Sequence, residues 1–180
     1  ETASYLGYTL GTNGTPEAWG VWCIAVTWDA SGNPTPVAQT LLQTSHMSAP
    51  YSSASPGWRQ NTWFTWSPDG RRLAFSSWND TDFEMHRVVV ATGAEQAIAN
   101  GAGVRIGMVY DWSSTDRIVY QPLVGGVGQG IWSVAPTGAS ATQIVPAPTT
   151  GYRTLGDVRW SPAGTHLVYA RHVTDEQPPP

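Results

Sequence analysis

Three stretches that open on Trp-Ser align along their length, and their spacing constrains the fold more than any other feature. Trp66-Ser67-Pro68-Asp69-Gly70-Arg71-Arg72-Leu73-Ala74-Phe75 matches Trp112-Ser113-Ser114-Thr115-Asp116-Arg117-Ile118-Val119-Tyr120 and Trp160-Ser161-Pro162-Ala163-Gly164-Thr165-His166-Leu167-Val168-Tyr169, at spacings of 46 and 48 residues. Similarity at such a period marks a repeat architecture, in which each copy buries its apolar face against the next. The unit itself encodes a hairpin. Proline sets φ near −65° at the first turn position, Asp tolerates the bend, and Gly takes a positive φ without steric cost. Beyond the turn, Leu73 and Phe75, Ile118 and Tyr120, and Leu167 and Tyr169 alternate with small or apolar partners, the period of a strand with one face in a core.

Each full copy continues into a third strand, His86–Ala91 and Ile131–Ala135, ends at a glycine turn, and adds a short fourth, Glu95–Ala99 and Ala141–Val145. Four antiparallel strands per repeat specify an all-β fold of β-propeller blades. The N-terminal segment fits as strands two to four, with Tyr5-Leu6-Gly7-Tyr8 aligned on Arg72–Phe75, Val21–Thr27 as third strand and Val37–Leu42 as fourth. Its first strand would lie before Glu1. The expected organisation is an incomplete blade over 1–45, blades over 58–100 and 101–147, the first half of a further blade over 148–172, and a Pro-rich tail over 173–180. That makes thirteen strands and about three to four blades. Closed propellers have about four to eight blades. The expectation is therefore a portion of a larger propeller, or one member of an assembly that completes it.

Composition agrees. Ten tryptophans, 19 glycines and 14 prolines suit short aromatic strands broken by frequent turns. A net charge of −4 with 12% charged residues provides no basic stripe for a phosphate backbone, so nucleic acid is not an expected partner. No apolar run reaches the roughly 18 residues of a membrane-spanning helix. Cys23, the single cysteine, reads as a small buried hydrophobe within Val21–Val26.

With these residues in view, Trp66–Ser77 resembles the WD40-like repeat of TolB-type propellers, strongly there and at Trp160–Ala170, and weakly at Trp112–Tyr120. The weak copy has Ser114-Thr115-Asp116 in place of Pro-Asp-Gly and one residue fewer, which leaves its turn geometry open. The resemblance implies a scaffold that binds protein partners at the mouth of a central channel, in the periplasm or outside the cell. The same repeats build the non-catalytic propeller of prolyl-oligopeptidase-type serine peptidases, where they gate access to a separate hydrolase domain. Repeat type alone does not choose between the two.

No constellation in the sequence carries catalysis. A Gly-x-Ser-x-Gly nucleophile elbow is absent, and His46, His86, His166 and His172 lack metal-ligand spacing. His166 and His172, six apart around a strand, share one face. Asn79-Asp80-Thr81-Asp82-Phe83-Glu84 offers Asp80, Asp82 and Glu84 as oxygen donors to a hard cation, yet lacks an EF-hand's glycine-turned loop and reads as a solvated turn. No metal and no cofactor are expected. The long insertions Gly11–Gly20, Gln43–Gln60 and Leu123–Gly130 exceed what a hairpin needs, and such loops carry binding function. Tyr51 and Trp58, aromatics in the small-residue loop Gln43–Gln60, are the expected anchors for a protein partner.

Overall fold

The structure, a computed structural model, describes residues 2–10, 16–44, 64–78, 83–98, 105–124, 127–147 and 152–173. Among them fourteen strands and no helix are present. The first sheet holds β1 (Thr2–Leu10), β2 (Pro16–Trp28) and β3 (Pro34–Thr44) in that order. The second has β4 (Phe64–Trp66), β5 (Arg72–Trp78), β6 (Phe83–Val89) and β7 (Glu95–Ala97). The third contains β8 (Arg105–Trp112), β9 (Ile118–Val124), β10 (Val127–Gly128), β11 (Ile131–Val134) and β12 (Thr142–Val145), and the fourth β13 (Tyr152–Trp160) and β14 (Leu167–Val173). All pairings are antiparallel between strands that follow closely in the chain, as a row of blades requires. The chain is a partial propeller.

The three Trp-Ser turns close in one way. Ser67, Ser113 and Ser161 accept through their carbonyls from the N–H of Gly70, Asp116 and Gly164 at 2.8, 3.0 and 2.8 Å. Their own N–H groups donate to the carbonyls of Arg72, Arg117 and His166 at 2.8, 2.8 and 2.9 Å. The serine hydroxyl adds a third tie, accepting from the N–H of the same Arg72, Arg117 and His166 at 2.8, 3.0 and 3.1 Å. Asp116 stands at φ 59°, beside 66° for Gly70 and 68° for Gly164. The open question about the weak copy is thereby answered: Ser114-Thr115-Asp116 reproduces the Pro-Asp-Gly turn. The residue it lacks falls after the left-handed position, on the strand side.

Burial departs from the one-faced strand that alternation predicts. Leu73, Ala74, Phe75 and Ser76 are all buried, as are Ile118 through Pro122. Strands in the middle of a blade are covered on both faces because a sheet stands on either side. On one face of the second sheet Leu73, Phe75 and Val88 pack with Cys23 of β2. On the other, Ala74, Met85 and Ile98 meet Val109, Trp112 and Tyr120. The next seam joins Tyr110, Val119 and Ile131 to Val158 of β13. Each fully buried aliphatic side chain contributes about 1.5–3 kcal/mol, so the seams and the blades are stabilised by the same residues.

Two insertions are shorter than the sequence implies. Gly11–Gly20 is partly strand, since β2 begins at Pro16. Leu123–Gly130 is a hairpin extension in which Val127 and Gly128 pair with Val124 and Leu123. Gly128 lies against the Gln121 side chain, where an added Cβ would come within 2.6 Å of Nε2 and the glutamine amide would have to shift.

Candidate functional site

In sequence order the first strand of each blade is β4, β8 and β13. β4 packs on β8 and β8 on β13, while β8 also packs on β5 and β6; among the described residues no comparable packing joins the outer strands β7 and β12. The first strands therefore converge on a common axis, where a propeller has its channel. Just before each Trp-Ser tryptophan sit Thr65, Asp111 and Arg159, and they meet across the seams. Asp111 Oδ2 accepts from the Trp160 N–H at 2.7 Å, and its Oδ1 accepts from the Trp112 N–H at 2.9 Å and from Thr65 Oγ1 at 3.5 Å. Arg159 Nη1 donates to the Tyr110 and Val158 carbonyls, each at 2.9 Å. One carboxylate thus touches three blades.

Tyr110 lies buried behind this belt, its hydroxyl 3.4 Å from Gln121 Oε1 and 3.4 Å from Met108 Sδ. Burial, with the Asp157 charge nearby, pushes its phenol up to about 12. At the turn end of the seam, the Arg72 guanidinium stands 4.7 Å over the Trp112 ring and 3.2 Å from Asp116 Oδ1, which also accepts from Trp112 Nε1 at 2.9 Å. Arg117, which aligns with Arg72, instead turns into its own blade and donates to Ser133 and to the Ser140 carbonyl.

Of the three loop carboxylates, Glu84 alone is among the described residues. Asp80 and Asp82 lie outside the described residues. Glu84 turns its Oε2 to His86 Nε2 at 3.2 Å, while His86 Nδ1 is 2.6 Å from Glu95 Oε1 and the ring stacks on Phe75 at 5.6 Å. Glu84 is thereby engaged in a clamp across β5, β6 and β7, with an imidazole between two carboxylates. Among the described residues no group of three His, Cys, Asp or Glu side chains is placed to hold a metal ion. His166 is exposed, with Nδ1 2.9 Å from Thr165 Oγ1. His46, Tyr51 and Trp58 lie outside the described residues.

Sequence reasoning missed Asp111, Arg159 and the Glu84–His86–Glu95 clamp. A signal for the first two was present: both occupy the position directly before a repeated tryptophan. Nothing in the sequence signals the clamp, because Glu95 reaches His86 only through the β6–β7 pairing that sets His86 opposite Ala97.

No family model matches the sequence, and no curated protein matches it. Solved structures do. A putative TolB from Agrobacterium tumefaciens superposes with a TM-score of 0.60 at 20% identity, covering 99% of this chain and 53% of that one. The fold is that of the TolB-type propeller repeat. TolB from Acinetobacter baumannii matches with a TM-score of 0.52 at 13% identity, over 92% of this chain and 34% of the other. A prolyl endopeptidase structure matches with a TM-score of 0.50 at 18% identity, over 95% of this chain and 22% of the other. The chain spans about half the length of the Agrobacterium TolB and less of the other two.

Proposed function

We propose that the chain is the scaffold section of a non-catalytic propeller that holds a protein partner through its inter-blade loops, outside the cytoplasm. The observation that carries this reading is the use to which its polar side chains are put. Asp111, Arg159, Arg72 and the His86 clamp, the groups that chemistry would draw on, are each engaged in joining strands or blades. A rigid body so built presents loops, and loops on a rigid scaffold are where binding residues concentrate. The likeness to two TolB structures supports the same reading at the level of fold.

In this reading Tyr51 and Trp58 anchor the partner, and further blades complete the ring, from the same polypeptide or from an associated one. The test uses the purified chain as bait in an extracytoplasmic extract of its source, beside Tyr51→Ala/Trp58→Ala. A protein held by the first and lost from the second is the expected result; retention by both removes that loop from the interface. Native mass spectrometry of the intact protein isolated from its source addresses ring completion, since a compact monomer at 19.4 kDa would contradict it.

The likeness to a prolyl endopeptidase favours a second reading, the substrate-gating propeller of a serine peptidase. A Gly-x-Ser-x-Gly hydrolase encoded beyond Pro180 would establish it, and further Trp-Ser-Pro-Asp-Gly copies would favour the first.

A further inference from the structure

The Arg159 guanidinium is tied down at one nitrogen. Its Nη1 donates to the carbonyls of Tyr110 and Val158, each at 2.9 Å, and these bonds use both hydrogens of that nitrogen. A guanidinium holds its N–H donors in a planar fork, so Nε–H and the Nη2 hydrogens remain. No hydrogen bond or ion pair engages them among the described residues. Nε and Nη2 form one edge of the plane, with hydrogens that point the same way, and that edge matches the two oxygens of a carboxylate. Arg159 is exposed, on a first strand at the channel.

Other arginines spend what Arg159 keeps open. Arg72 gives Nη2 to Asp116, Arg87 turns Nε and Nη2 to Gln96, and Arg117 gives Nη2 to Ser133 and Ser140. The two carboxylates near Arg159 do not pair with it. Asp111 directs its oxygens to the Trp160 and Trp112 N–H groups at 2.7 and 2.9 Å. Asp157, exposed two residues earlier at φ 50°, makes no ion pair with it. Two carboxylates beside one guanidinium keep the neighbourhood negative, so a ligand with a single negative charge is accommodated more readily than a dianion. The carbonyl anchors, one from each of two blades, fix the plane before a ligand arrives, which lowers the ordering cost of binding.

We infer that Arg159 is a carboxylate-binding site at the channel edge of the third and fourth sheets. Through its Nε–Nη2 edge it takes the C-terminus, or an Asp or Glu side chain, of a protein segment entering the channel. Bidentate, charge-assisted bonds of this kind are about twice as strong as neutral ones and fix the orientation of what they hold. The site belongs to the channel and not to the loop Gln43–Gln60, so retention of a partner by Tyr51→Ala/Trp58→Ala leaves it standing.

Nuclear magnetic resonance of the Arg159 Nε–H group in the full-length protein tests it, with small peptides as probes. N-acetyl-triglycine has a C-terminal carboxylate, its amide has no carboxylate, and the amide of N-acetyl-Gly-Glu-Gly has one on a side chain. A saturable shift with a carboxylate peptide and none with the triglycine amide is the expected result; the carboxylate that binds tighter names terminus or side chain as the source. Arg159→Lys keeps the charge and loses the fork, and carboxylate binding about tenfold weaker is expected. Equal binding by Arg159→Lys overturns the fork. An amide that acts as its acid does, or no response to either carboxylate, overturns the site; the second outcome is the one given if an adjoining blade already holds the fork. Inorganic phosphate binding tighter than both peptides overturns the preference for a single charge. Should Arg159→Lys fail to fold, the comparison of acid with amide on the wild type decides alone.

Discussion

At Asp116 the backbone takes a conformation that glycine supplies in the other two copies, and the side chain is put to use. A non-glycine residue in the left-handed region costs about 1 kcal/mol, least for Asn and Asp. Asp116 offsets this by accepting from Trp112 Nε1 and pairing with Arg72. Asp116→Asn keeps the turn and an acceptor for the indole but loses the ion pair. Because that pair is largely exposed, the expected loss in urea denaturation is below about 1 kcal/mol and vanishes in high salt. Asp116→Ala removes the acceptor and the local tolerance for positive φ together, and about 1.5–3 kcal/mol is expected to go. Tyr110 gives a pH signature. Its folded pKa is raised to about 12 from 10, so the contribution is complete below pH 10 and is lost as pH rises toward about 12. The swing is about 3 kcal/mol, and Tyr110→Phe removes it from the alkaline unfolding curve.

The element that repeats is the Trp-Ser hairpin, and its serine is why the dipeptide is a better marker than tryptophan alone. Each hydroxyl accepts from the N–H at or just before the start of the second strand. Ser113→Ala should cost about 1 kcal/mol by thermal unfolding, and Ser67→Ala a similar amount, with a coupling between them because the Arg72–Asp116 pair joins the two turns. In the second blade Asp69 adds a further tie. Ser67's hydroxyl and the Arg71 N–H hold its carboxyl below the usual range, so its contribution is present above the ordinary value of 3.8 and is lost as pH falls through the folded pKa. Asp69→Asn is expected to flatten that part of an acid titration of stability. The hairpin, its Pro-Asp-Gly chemistry and the strands after it were legible because they rest on neighbours in sequence. The extent of β2 and the pairing of β10 were not, because Pro16 and Val127 lie in stretches whose composition resembles loop and become strand only by pairing with Leu10 and Val124.

Across the whole molecule the blades stand as layers that share their cores, and a defect at one seam reaches both sheets it joins. Leu73, with none of its surface exposed, packs at the seam with the first sheet. Leu73→Ala should cost about 2–5 kcal/mol and expose Cys23 to thiol reagents, a readout that a local defect confined to the second sheet would not give. The repeat period and the turn between the first two strands of each copy follow from the sequence alone, since each depends on local propensity and on alternation along one strand, whereas β10 makes a fifth strand in the third sheet where the sequence implies four. Which faces are buried was decided only by tertiary structure. Alternation predicts a strand with one covered face, whereas a neighbouring sheet on either side buries Ala74 as completely as Leu73. The roles of Asp111, Arg159 and His86 belong with that second group. Thr65 and Asp111 are 46 residues apart and Asp111 and Trp160 are 49, so no local rule relates them; the convergence of first strands on one axis brings their atoms within bonding distance.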